Sequence, residues 1–369
     1  MSEQIQRMVE LAADPAATLA DYRKSSGRPA MLIVPLYFPR EVLDAAGFIP
    51  AEIWGAALPL DESGAFLQPT ICSLMVGLFE LGLSGGLEGV SGAVFPSTCD
   101  TVQNSESIWA SRFPKMFVGH VVMPKITSAT GAGEFIAAQI REFIAALHKA
   151  TGATLDDESL ARSIALGNTA RAAARGLLDL AGRGLLSATE RNAVYVLYNL
   201  LPFDAFIELA AAAAAQAEQR SPALDAKPVL VSGMVLGPRP VIALYDELGA
   251  RIVDDDLGIG RRSIDPDVDQ NGDPIVALAA RQLGRRACCT IHDSQRDRAA
   301  ELVEQTKACA AEGVIFSRLK FCDPEAFDYP WLSGALKEAG VPSTLLEIDL
   351  GSDAIEATTT RMQAFLESL

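Results

Sequence analysis

The order of short apolar runs and amphipathic stretches predicts an α/β protein. It has two doubly wound, flavodoxin- or Rossmann-like parallel-sheet domains joined by an Ala-rich helical segment. Three observations carry this. Strand-like runs alternate with helical periodicities over 1–132 and again over 223–369. Between them, 133–222 is rich in alanine and almost free of β-branched runs. At 369 residues the chain also exceeds the size that one core usually serves.

The first domain opens with an amphipathic helix marked by Ile5, Met8, Val9 and Leu11, followed by a buried strand at 31–34. Pro39 begins a helix that Gly47 stops. Residues 71–83 read as a helix, 93–96 as a strand, 101–111 as a helix and 116–120 as a strand. The C-terminal domain is the clearest. Strands at 229–233, 251–255, 287–291, 313–318 and 343–348 alternate with helices at 239–248, 274–284, 295–312, 331–339 and 352–367, a five-stranded unit.

Composition narrows the function. Lys and Arg total 31 against 47 Asp and Glu, a net charge of -16 that repels phosphate backbones, so no nucleic-acid partner is expected. The most apolar run, 209–215, is too short to span a bilayer, and no membrane contact is expected. The amino-terminal stretch lacks a basic start followed by an apolar core, so a cytoplasmic protein is expected. There the six cysteines are thiols, ligands or core residues rather than disulfides.

Cys99 and Cys322 share one layout, an apolar strand closed by Cys-Asp and then a helix start. In open α/β sheets ligands sit outside the carboxyl ends of the strands, so two such thiols can face one cleft. Cys72 follows Gln68-Pro69-Thr70 and falls in the first turn of the next helix. There the helix dipole and free N–H groups favour a thiolate. Asp100 is placed to cap the helix after Cys99, and Asp323-Pro324 marks a helix start after Cys322. All three thiols lie at loop-to-helix junctions, where N–H groups can face the sulfides of an iron–sulfur cluster. Spacing by itself nevertheless favours packing thiols over ligands, since no C-x-x-C motif is present.

Cys288 and Cys289, adjacent in a strand, would point to opposite faces, so both read as core, as does Cys309 on its helix. No phosphate-binding loop of the G-x-x-x-x-G-K-[ST] type is present. The turn from Gly233 to Gly237 follows a strand and opens a helix. It can seat a phosphate or the pantetheine of an acyl-CoA, and equally it can be a tight βα turn. Asp254, Asp255 and Asp256 read as a solvated strand end rather than a cation site. Glu52 and Trp54 are further candidates for a substrate pocket.

Several segments together resemble the 2-hydroxyacyl-CoA dehydratase D-component and benzoyl-CoA reductase family. They are VFPSTCDTVQNSESIW (94–109), VLVSGMVLGPRPVIALYDELGARIVDDDLGIGRR (229–262) and GVIFSRLKFCDPEAFDYPWLSGALKEAGVPSTLLEIDLG (313–351), with Pro39 to Gly47 followed by Glu52-Ile-Trp-Gly55. The likeness runs from about residue 30 to the end and is weakest in the helical middle. The 94–109 stretch looks most like the smaller cluster-bearing subunit of the ATP-dependent benzoyl-CoA reductase. The resemblance implies one four-iron–four-sulfur (4Fe–4S) cluster per chain, held by Cys72, Cys99 and Cys322 with one iron open. It implies a homologous partner subunit in a pseudo-symmetric heterodimer, a separate ATP-hydrolysing iron–sulfur activator, and an acyl-CoA substrate. The implied reaction is one-electron reduction to a ketyl radical, leading to a cyclic dienoyl-CoA. The alternatives are a radical 2-hydroxyacyl-CoA dehydratase subunit and a non-catalytic electron-relay or supporting paralogue. One departure stands out. Many members carry Leu-Cys-x-Gly-x-Arg after the acidic strand, whereas this chain has Leu257-Gly258-Ile259-Gly260-Arg261-Arg262, which argues against a larger cluster needing additional thiolates.

Overall fold

The computed structural model describes residues 3–55, 61–291, 293, 296–352 and 355–369. The first sheet is formed by β1 (Ala30–Ile33), β2 (Ile49–Ala51), β3 (Val90–Pro96) and β4 (Phe117–Val121). The second is formed by β5 (Lys227–Gly233), β6 (Ala250–Leu257), β7 (Gly313–Leu319) and β8 (Ser343–Ile348). Both sheets are parallel and share one strand order, β2-β1-β3-β4 and β6-β5-β7-β8. The paired strands are near-continuous apolar runs, as strands covered on both faces require; Met31, Leu32, Ala93, Val94, Val231 and Ile315 are all buried.

Helices α1 (Glu3–Ala13), α2 (Pro15–Ser26), α3 (Arg40–Ala45), α4 (Ser73–Leu83) and α5 (Asp100–Arg112) belong to the first half. The middle holds α6 (Ala132–Thr151), α7 (Asp157–Gly182), α8 (Ala188–Leu200) and α9 (Phe203–Ala217). The second half carries α10 (Arg239–Glu247), α11 (Arg261–Ile264), α12 (Pro274–Gly284), α13 (Arg298–Ala308), α14 (Asp323–Glu338) and α15 (Glu356–Ser368). No helix among the described residues is long and apolar enough to cross a membrane.

The helical middle is fastened to both sheets by buried arginines. Arg40, at the start of α3, donates to the carbonyls of Pro50 at 3.2 Å and Leu201 at 2.7 Å, and also to that of Tyr198. Arg171 on α7 pairs with Glu41 at 2.7 Å. Arg191 on α8 pairs with Asp255 at 2.9 Å, and the Tyr195 hydroxyl donates to the same carboxylate at 2.7 Å.

Four expectations are corrected. Residues 287–291 form no strand, so the second sheet has four strands; the segment is a turn in which Ile291 N bonds Cys288 O at 3.1 Å. Side chains take its carbonyls instead of a ladder, with Arg298 on Ala287 O and Lys125 on Thr290 O. Asp255 and Asp256 are not solvated: both are buried, and Asp256 is held by Arg262 and Arg298. The helix expected at 331–339 begins at Asp323 and runs through Pro330. Finally, Cys99 itself is the N-cap of α5, with Asp100 its first helical residue.

The two sheets turn their carboxyl ends toward a common region. Leu350, just past β8, donates its N–H to Ser73 Oγ at 3.2 Å at the start of α4. Gly55 is equally tight: a Cβ there would lie 2.6 Å from Leu350 Cδ1.

Candidate metal centre

Each of the three singled-out cysteines is the N-cap of a helix: Cys72 of α4, Cys99 of α5 and Cys322 of α14. Cys99 ends the loop after β3 and Cys322 the loop after β7, at the carboxyl edges where such sheets bind ligands. All three thiols are half-buried and line one cavity of about 560 Å³, together with Thr98, Lys125, Cys289, Thr290, Phe321 and Trp331. None of these caps makes a side-chain capping bond of full geometry. The N–H groups of Leu74 and Met75, of Thr101 and Val102, and of Glu325 nonetheless face the respective sulfurs and favour their charged forms. Three helix starts thus aim positive dipole ends at one space.

Burial dominates the electrostatics. It pushes the Cys72 thiol up to about 11 and raises Cys99 and Cys322, with mutual repulsion adding to the effect on Cys72 and Cys322. Thiols placed this way give up their protons to solvent when a cation takes up the thiolate charge, as iron does on ligation. Among the described residues no three His, Cys, Asp or Glu side chains stand close enough to hold a single metal ion. A cluster spreads its thiolates around four irons, further apart than one ion does. A set of three half-buried thiols on one cavity, each at a helix start, fits that donor chemistry.

Sequence reading missed three neighbours of this cavity. Cys289, expected in the core, lines it, because the 288–291 turn abolishes the alternation of a strand. Lys125 Nζ donates to the carbonyls of Ser97 at 2.8 Å and Thr98 at 2.5 Å, bracing the loop that carries Cys99; burial lowers its basicity. Glu325, one turn beyond Cys322, is buried, and desolvation raises its carboxyl to about 7 while the Leu319 N–H, donating at 3.0 Å, opposes the rise. Its place three residues after a helix-capping Cys was the signal in the sequence. Cys309 caps the end of α13, half-buried.

The four expected pocket residues lie elsewhere. Glu52 and Trp54 are buried, Trp54 Nε1 donating to Glu52 Oε2 at 3.1 Å, and burial raises the Glu52 carboxyl. Gly233 closes β5 with φ 156°, its carbonyl taken by Arg262 and by Gly258 N. Gly237 packs against Val241 and Ile348. Neither Glu52, Trp54, Gly233 nor Gly237 lines the thiol cavity. The missing cysteine has a physical counterpart: a Cβ at Gly258 would lie 2.9 Å from Met234 Cε and 3.1 Å from Trp54 Cζ3, so these two side chains occupy that space.

Comparison with known proteins bears on this geometry. The chain is 29% identical to the lactoyl-CoA dehydratase subunit beta of Anaerotignum propionicum, covering 99% of this chain and 98% of that one. It is 27% identical to the (R)-phenyllactyl-CoA dehydratase beta subunit of Clostridium sporogenes, over 98% and 97%. It is 29% identical to a benzoyl-CoA reductase subunit of Thauera aromatica, over 93% and 91%. The family model for the 2-hydroxyglutaryl-CoA dehydratase D-component matches residues 35–369, from just past β1 to the end of the chain, and takes in all three thiols. The chain belongs to the 2-hydroxyglutaryl-CoA dehydratase D-component family.

Proposed function

We propose that this chain is the cluster-holding subunit of an acyl-CoA enzyme that works by one-electron chemistry. The observation that carries it is the delivery of Cys72, Cys99 and Cys322 from three helix starts into one cavity. Those residues would hold a 4Fe–4S cluster, which when bound supplies single electrons at low potential. The chain's own contribution is to hold the thiolates with backbone N–H groups and to brace the Cys99 loop through Lys125.

Phe321, Phe327 and Trp331 stand exposed at the mouth of the cavity. An apolar rim around a space that must exclude water calls for a cover. The relatives are named as subunits, which supports a homologous partner subunit in that place. A separate ATP-hydrolysing activator would deliver the electrons.

The 94–109 segment carries the first reading of the reaction, reduction of an aromatic acyl-CoA to a cyclic dienoyl-CoA with uptake of two electrons and two protons. The second rests on the near-complete coverage of the lactoyl-CoA dehydratase relative, and is loss of water from a 2-hydroxyacyl-CoA with no net electron uptake. The test begins with iron and acid-labile sulfide on protein purified without oxygen, at about four of each per chain. Turnover with partner and activator then separates the readings by electrons consumed per product. A folded chain that binds no iron would end both.

A further inference from the structure

Beside the thiol cavity lies a second, smaller one of about 30 Å³, lined in part by Tyr37, Gln282, Arg285, Cys288 and Arg298. That volume holds about two water-sized groups. Three of its four arginines have acidic partners. Arg286 pairs with Asp265, Arg296 with Glu301, and Arg298 with Asp256 and Asp328. Of the acids in the lining, Asp328 is held by Arg298, and Asp293 accepts from Thr127 Oγ1 at 2.7 Å and from Ser128 N and Oγ. Arg285, only 5% exposed, is the lining arginine that makes no ion pair among the described residues, although its charge acts on the buried Glu52 carboxylate.

Arg285 is also short of hydrogen bonds. Its Nη2 donates to Ser263 O at 3.2 Å, while Nε and Nη1 are buried with no partner. The Tyr37 ring lies 5.1 Å from the guanidinium, which offsets part of the charge but satisfies no donor. Gln282, 1% exposed, has neither amide atom bonded. Arg281, packed behind, is held down to about 9 by burial and by the positive charges of Arg171 and Arg285. Two buried guanidinium N–H groups and a buried amide, all without hydrogen-bond partners on one small cavity, are a costly arrangement unless an acceptor completes them.

We propose that this cavity binds one planar carboxylate group, with Arg285 as its counter-charge and the Gln282 amide donating to its second oxygen. Room for about two water-sized groups matches the two oxygens of a carboxylate. Cys289, Asp328 and Trp331 line both cavities, so the carboxylate has two sources: a free small acid, or the far end of an acyl chain lying in the larger cavity. Binding of the free acid does not depend on the cluster.

The test uses the full chain, cluster-free and loaded, at constant ionic strength in chloride. Formate and acetate are titrated by calorimetry and by melting temperature, with sulfate as comparison. A saturable rise with formate or acetate but not sulfate, weakened about tenfold or more by Arg285→Gln, assigns the site to a free acid. No response to the free acids, together with tighter binding of glutaryl-CoA than of pentanoyl-CoA that Arg285→Gln abolishes, assigns it to an acyl carboxylate. Gln282→Leu decides if Arg285→Gln does not fold, and should weaken the same response several-fold. Neither response in the wild type, or a response that survives both substitutions, overturns the proposal and leaves water in the cavity.

Discussion

Cys99 and Cys322 occupy equivalent positions in the two halves of the chain. Each is the N-cap of the helix leaving the third strand of its sheet, and the two sheets share one strand order. The same turn of the chain has thus been used twice to deliver a thiol to a carboxyl edge.

Cys322→Ala and Cys99→Ser should each lose most of the bound iron while melting within a few degrees of the wild type. Removing one half-buried sulfur costs on the order of 1 kcal/mol, so a lost cluster would not be a consequence of lost fold. Cys309→Ala, at the far end of α13, should keep its iron. Full iron in Cys322→Ala would return that thiol to a packing role.

Phe327 is 85% exposed on α14, one turn past Cys322, with Trp331 a turn further along the same helix. Phe327→Asp should leave iron content unchanged and weaken association with the partner subunit by tenfold or more, the scale of a central aromatic anchor. Sedimentation of the mixed subunits reads this directly. Unaltered association would remove α14 from that interface.

Most of the strands, the helical middle and the placing of Cys72, Cys99 and Cys322 at helix starts were legible because each is a local signal: an apolar run, an alanine-rich periodicity, a Cys before a helix start. What was not legible depends on partners far away in sequence. Residues 287–291 look like a strand, but Arg298 and Lys125 claim their carbonyls from other elements. Asp255 and Asp256 look solvated until Arg191, Arg262 and Arg298 arrive from α8, α11 and α13. For the same reason Arg285 carries no sequence signal, since its two unpartnered N–H groups become visible only once every neighbour is in place.

Gly92 tests how closely the first sheet is packed. A Cβ there would sit 2.3 Å from the Phe117 carbonyl oxygen on β4, a ladder atom with no room to retreat. Gly92→Ala should destabilise by about 1–3 kcal/mol, read from a shifted denaturation midpoint at unchanged slope. Gly249→Ala, where nothing lies near the new carbon but φ is 72°, should cost about 1 kcal/mol through backbone strain alone. Equal costs at the two sites would argue that β3 and β4 can part.

Glu41 and Arg171 give the fold an acid-sensitive clasp between α3 and α7. Burial alone would raise the Glu41 carboxyl, yet the adjacent Arg171 and the nearby Arg281 hold it down at about 2, from an ordinary 4.5. A depressed carboxylate contributes its stability above the unfolded value and loses it as pH falls toward the folded one. The contribution is therefore complete above about pH 4.5 and fades between there and about pH 2, with a size near 3 kcal/mol. In Glu41→Gln the Arg171 charge keeps only the exposed Asp267, at 3.5 Å, so at neutral pH the variant should be less stable by about 3 kcal/mol. On acidification the wild type should lose stability faster than the variant, and the two curves should converge below pH 4.5. Urea unfolding at a series of pH values measures both. Curves that stay parallel down to pH 2 would show that Glu41 titrates alike in the folded and unfolded chains, and that the clasp is not ionic.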